Sequence, residues 1–152
     1  MSYLVAIRVR GRTGIKPDLR RTLELLNLTR INHCAIYRDD EKMKGMLLKV
    51  KDYVAYGEIS EDTFFKMVSK RGRLKGDKRI DSEFISSVKE KDMDSLVKNL
   101  FSGKTTLTGL GIKKVFRLHP PKGGYKSTKH SFPKGSLGYM GDEVNGLLKR
   151  MI

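Results

Sequence analysis

Three groups of residues in this chain have the types and spacing that chemistry would call for. His119 and His130 lie in one Lys-rich stretch, and two imidazoles can serve as general acid and base in RNA cleavage. No carboxylate lies nearby in sequence to orient either ring, so their setting favours contact with a nucleic acid over catalysis. Ser102-Gly103-Lys104-Thr105 looks like the tail of a phosphate-cradling loop. Such a loop needs a Gly five residues before its second Gly, where this chain has Lys98, and a strand leading in, where the pattern is helical. Gly103 is expected to end a helix instead. His33 adjoins Cys34, the chain's single cysteine. Adjacent strand residues point to opposite faces, so the pair makes no metal site.

What remains is cationic. The stretch 119–138 holds Lys122, Lys126, Lys129 and Lys134, with Gly123 and Gly124 allowing close backbone approach. Tyr125 and Phe132 offer stacking surfaces for unpaired bases, worth about 1–3 kcal/mol each where they stack, and His130 sits between them in sequence. A second row is Arg8, Arg10 and Arg12, extended by Lys16, Arg20, Arg21 and Arg30, with His33 close behind. Arg71, Arg73, Lys75, Lys78 and Arg79 form a third cluster. Three clusters fit a wrap-around contact better than a single groove reader.

The whole-chain balance agrees. Lys and Arg number 32 against 17 Asp and Glu, leaving +15 over 152 residues, with a pI near 10.0. Self-repulsion of that size calls for a polyanionic partner. The excess is concentrated: residues 95–141 contain no acid and nine Lys or Arg, whereas a merely solvated surface interleaves both signs. No run approaches the ~18 apolar residues of a spanning helix, which argues against a membrane. No basic segment precedes the N-terminal apolar run, so no signal peptide is read there. A lone cysteine suits a reducing compartment, and the expected location is the cytoplasm.

These side chains need elements to hold them. Residues 3–10 read as a strand, with Val5, Ile7 and Val9 on an apolar face and Arg8 and Arg10 on a face that turns basic. Pro17 suits the first turn of a helix whose stripe is Leu19, Leu23 and Leu26. Residues 32–37 read as a second strand. Asp39 or Asp40 is expected to cap a helix with Met43, Met46, Leu47 and Val50 inward, and residues 53–59 as a third strand. The order β-α-β-α-β implies an α/β (α+β) fold, a small sheet with helices on one face and ferredoxin-like in character. The other face is left for a partner or for the rest of the chain. Ser60 can cap a third helix, and shorter helices are expected from Asp81 or Ser82, over 92–101 and after Asp142. Residues 115–118 read as a strand. The chain thus divides into a core, 1–59, and a helical extension, 60–152, carrying the long basic loop.

With these segments laid out, residues 4–59 resemble a known family. The run Arg10-Gly11-Arg12-Thr13-Gly14-Ile15, then Arg21-Thr22-Leu23-Glu24-Leu25-Leu26-Asn27-Leu28-Thr29-Arg30-Ile31-Asn32-His33, looks like the large-subunit ribosomal protein called L-thirty. Met43-Lys44-Gly45-Met46 and Val50-Lys51-Asp52-Tyr53-Val54 continue the match. Phe116-Arg117-Leu118-His119-Pro120-Pro121-Lys122-Gly123-Gly124-Tyr125 resembles the longer archaeal members and their eukaryotic relative, L-seven. The resemblance implies a structural component of the large ribosomal subunit that binds the large ribosomal RNA, near the 5S RNA and among neighbouring ribosomal proteins. It implies no cofactor, no small-molecule substrate and no catalysis. By matching positions, Arg10, Arg12, Arg21, Arg30 and His33 are expected on or near the RNA side. Two rivals stand beside this reading: a free-standing nucleic-acid chaperone, and an RNA-processing nuclease using His119 and His130.

Overall fold

The computed structural model describes residues 2–152. Strand β1 (Tyr3–Arg8) is followed by α1 (Pro17–Leu25), β2 (His33–Arg38), α2 (Glu41–Lys49) and β3 (Val54–Glu58). Beyond them come α3 (Glu61–Arg71), α4 (Ser82–Ser87), α5 (Met93–Phe101), β4 (Val115–Arg117), β5 (Gly138–Tyr139) and α6 (Val144–Met151). The five strands form one sheet in the order β4-β2-β1-β3-β5. β1 runs antiparallel to both its neighbours, β4 is antiparallel to β2, and β5 is parallel to β3. The β-α-β-α-β segment therefore makes the centre of the sheet, and the later residues supply both edges.

Local chemistry accounts for the element ends. Pro17 opens α1 with Asp18 in the first turn, where a missing N–H costs nothing and a negative charge meets the positive helix end. The Ser60 hydroxyl accepts from the Thr63 N–H and caps α3, and the Asp81 carboxylate accepts from the Phe84 N–H to cap α4. Asp40 occupies the cap position of α2 without a side-chain hydrogen bond. Its neighbour Asp39 instead accepts from the Ser2 hydroxyl at 2.9 Å and pairs with Lys44 at 2.7 Å. Gly103 follows α5 at φ +79°, a left-handed backbone that closes a helix.

Alternation along β1 sends side chains to two separate cores. Leu4 and Ala6 pack with Leu23, Leu26, Leu28, Leu47 and Val54 beneath α1 and α2. Val5 and Ile7 pack on the opposite face with Phe64, Met67, Leu96, Phe116 and Leu148. The face left open by the first five elements is thus covered by α3, α5 and α6. This corrects the basic-face expectation for β1, because both sides of the strand are buried and Arg8 is only 2% exposed.

Candidate nucleic-acid interface

The buried Arg8 side chain is a scaffold. Its Nη1 donates to the Leu28 carbonyl at 2.7 Å, Nε to Arg10 O at 2.9 Å and Nη2 to Gly11 O at 3.2 Å. One fork thereby fixes the loop after β1 and the turn after α1. Burial, then the Arg12 guanidinium, lowers its pKa, and the three carbonyls supply the compensation that a buried cation requires. Arg8 is withdrawn from direct contact with a partner; its charge still reaches the surface around it.

That surface is the sheet end where β1 and β4 finish and β2 begins. A cleft of about 540 Å³ opens there between the sheet and the 73–79 turn. Its walls carry His33, Arg71, Arg73, Asp77, Lys113, Arg117 and His119, with Asn27 and Thr29 at the α1 side. Strand pairing sets His33 opposite Arg117. The turn is brought in by backbone bonds, with the Lys113 N–H donating to Arg73 O and Leu74 bridging to Ile112. Asp77 is the single acid lining the cleft and pairs with both Lys113 and Arg117. Those two cations, Lys113 first, hold the Asp77 carboxyl below the usual carboxylate range.

His33 registers the field of this end. Burial chiefly, then Arg117, Arg30 and Arg8, depresses its pKa below the ordinary imidazole value. The charges therefore form a belt: Arg12 and Arg20 bear on Arg8, and Arg8 and Arg30 bear on His33 beside Arg117. Arg12 and Arg30 are exposed within it, and Lys16 and Arg21 are exposed at the start of α1 and along that helix. Arg10 lies 5.4 Å from the Tyr53 ring centre in a cation–π contact. Arg20 leans toward Glu24 at 3.5 Å. Arg71 is tied back by a bond from Nη2 to the Ile152 carbonyl at 3.1 Å, so it contributes charge more than reach. Lys75, Lys78 and Arg79 are exposed on the turn but do not line the cleft.

The loop 119–138 leaves the sheet at this same end and is built into the fold. The Leu118 N–H donates to Asn32 O, and the His119 and Lys122 N–H groups donate to the last turn of α6. From α6, Arg150 Nη1 reaches back to the Lys122 and Gly124 carbonyls, where Gly123 and Gly124 take φ of +82° and +75°. Tyr125 corrects the expectation of a free stacking ring. It is half-buried, and its hydroxyl donates to Asn32 Oδ1 at 2.7 Å, with burial first raising its pKa to about 12. Farther out, Lys126 Nζ donates to Pro133 O at 2.8 Å, and the His130 Nδ1 pairs with the Ser127 hydroxyl at 3.0 Å. Leu137, Ser136 and Gly135 are buried beneath this tip. Lys122, Lys129, Lys134 and His130 stay exposed, with Phe132 partly so. His119 lines this cleft, whereas His130 does not line it and is engaged by Ser127 in the loop.

The sequence reading missed Lys113 and Arg117 as site residues. Both lie in the acid-free stretch, and Arg117 also lies in the run Phe116–Tyr125 that carries the resemblance. Comparison with known proteins bears on the same segments. A family model described as Ribosomal protein L30p/L7e matches residues 4–54. The large ribosomal subunit protein uL30 of Methanosphaera stadtmanae is 48% identical over 148 residues, 96% of this chain and 97% of that protein. The chain belongs to the uL30 family. Proteins of the same name from Methanococcus maripaludis, 43% identical over the full length of both chains, and from Archaeoglobus fulgidus, 41% identical over 95% of this chain and 97% of that one, extend the similarity. The archaeal form of uL30 is therefore the type to which this chain is similar. The family model spans β1 to the start of β3 and so includes Arg8, Arg10, Arg12, Arg30 and His33. Lys113, Arg117 and the loop lie outside it, in the part that full-length uL30 relatives share.

Proposed function

We propose that this protein is a structural constituent of the large ribosomal subunit in the cytoplasm, and that it holds folded ribosomal RNA in the cationic cleft and against loop 119–138. The observation that carries the reading is the convergence of Arg73, Lys113, Arg117 and the Arg71 charge on one cleft beside His33, within a chain whose full-length relatives are named for that subunit. The mechanism is charge neutralisation with shape fit. Cations displace condensed counterions, and a rigid backbone selects one RNA surface. The exposed lysines of the loop that leaves the sheet at the cleft end add further cations, and Phe132 is the ring left to meet an unpaired base. Placement beside the 5S RNA belongs to this proposal through the family resemblance.

No catalytic step enters this reading: His119 lines the cleft, while His130 pairs with Ser127 in the loop. The deciding experiment is co-sedimentation with the large subunit in high-salt gradients, alongside competition between folded ribosomal RNA and random duplex. Retention on the subunit and preference for the folded RNA are expected. Equal binding to duplex of any sequence would favour a free-standing chaperone.

A further inference from the structure

The opposite end of the sheet has the reverse character. There β1 begins and β2 and β3 end, with Tyr3 opposite Arg38 and Leu4 opposite Glu58. Asp39 follows β2, Glu58 closes β3, and Asp142 follows β5. Tyr139 collects their influence: its hydroxyl donates to Glu58 Oε1 at 2.6 Å. That carboxylate first, with Asp142 and Asp39 adding, raises its pKa to about 12. Of the cations at this end, Lys44 is already paired with Asp39 and also feels Glu58 and Glu41, while Arg38 ends β2 opposite Tyr3. In a chain of +15, this is a locally anionic end.

An apolar groove of about 340 Å³ lies against it, between α2 and β5. Leu4 and Tyr56 are buried at its floor, while the walls, Leu48 and Tyr139, are 57% and 55% exposed. They are two of the four large apolar side chains left exposed among the described residues, and they flank one groove. Gly45 leaves the α2 wall open, since a Cβ there would meet nothing within 4 Å. Clustered exposed apolar surface with a polar rim marks an interaction site.

The rim chooses the occupant. Glu58 and Asp142 beside Tyr139 repel a polyanion, which weighs against RNA. A second copy related by a two-fold axis would set the same acids against each other. We propose that this groove docks a Lys/Arg-rich segment of another protein, its apolar residue entering between Leu48 and Tyr139 and its cations meeting Glu58 and Asp142. The contact goes beyond RNA binding and does not depend on it. Because the two surfaces occupy opposite sheet ends, both can be engaged together.

The test uses the full chain, isotope-labelled, titrated with a synthetic peptide of alternating Lys and Leu and with a control peptide carrying Gln at each Lys. Expected are saturable amide shifts confined to Gly45, Leu48, Glu58 and Tyr139, weakening with salt, and little response to the Gln peptide. The double variant Leu48→Ser, Glu58→Gln should lose about tenfold in peptide affinity while binding RNA as before. Leu48→Ser alone, at an exposed helix position, serves if the double variant melts early. Equal affinity for the Gln peptide, unchanged affinity in a folded variant, or shifts spread over other faces would overturn the proposal. So would loss of RNA binding in the folded variant, or self-association through this face without peptide.

Discussion

His33 and Arg117 are register partners across the β2–β4 ladder, which sets a partly buried imidazole beside an exposed guanidinium at the mouth of the cationic cleft. Directly opposite residues of an antiparallel pair share one face of the sheet, so each charge is felt by the other. The free protein holds His33 neutral near pH 7, since burial and the surrounding arginines depress its pKa.

The sign of the resulting pH dependence follows from linkage. In the unfolded chain His33 takes up its proton near pH 6.5; in the folded chain it does so lower. Stability from this group is therefore complete above pH 6.5 and is lost as pH falls through the folded pKa. Urea midpoints at pH 7.5 and 5.5 should diverge less in His33→Asn than in the native chain. RNA phosphate reverses the local field, so RNA affinity should rise from pH 7.5 to 6 in the native chain and stay flatter in the variant.

Arg8 tests the distinction between a scaffold cation and a contact cation. Arg8→Met leaves three carbonyls without their donors, and hydrogen bonds from charged groups are worth about 1.5–3 kcal/mol. A loss of roughly 2–4 kcal/mol in urea unfolding is expected, with the bulk of it from the Leu28 and Arg10 bonds. Exposed Arg12→Ser should change stability by less than about 0.5 kcal/mol while lowering RNA affinity. Equal stability of the two variants would refute the assignment.

Asp77 restrains the cleft by pairing with Lys113 and Arg117. Exposed pairs of this kind contribute about 0–1 kcal/mol to stability, so Asp77→Asn should fold normally. Freed of the carboxylate, both cations become available to phosphate. RNA affinity should increase severalfold, and the slope of log affinity against log salt should steepen by about one. Arg117→Gln should flatten that slope by a similar amount. Filter binding from 50 to 200 mM salt reads both.

Tyr125 and Phe132 should separate in the same way. Tyr125→Phe removes the hydroxyl bond to Asn32 Oδ1 and should cost about 0.5–1.5 kcal/mol of stability with RNA affinity unchanged. Phe132→Ala should spare most of the stability and, where the ring stacks on a base, cost about 1–3 kcal/mol of binding. A stability loss without any binding loss at Phe132 would remove that residue from the interface.

Gly135 probes the loop's own architecture. A Cβ there would fall 2.0 Å from the His130 carbonyl oxygen, inside any permitted contact. Gly135→Ala should therefore displace the loop tip, at a cost of about 1–3 kcal/mol, and blunt RNA binding through Lys129 and Lys134. Hydrogen exchange at Gly135 and Leu137, whose N–H groups donate to Ser131 O and His130 O, should accelerate.

What the sequence determined by itself was local or global: periodicity placed β1 to β3 and their helices, cap chemistry placed Ser60 and Asp81, and charge counting pointed to a polyanion. The resemblance then supplied the family. What only the tertiary structure decided depends on long-range contact. Alternation sent Arg8 to one face of a strand, but only the turn after α1 and the loop after β1, folding over it, buried that face. Tyr125 was legible as an aromatic in a cationic loop, yet its partner Asn32 lies 93 positions away. Lys113 and Arg117 joined Arg71 and Arg73 because β4 pairs with β2 and Lys113 bonds to Arg73. Side-chain type and local spacing record what a residue can do; burial and assembly into one site arise from segments that meet only after the chain has closed on itself.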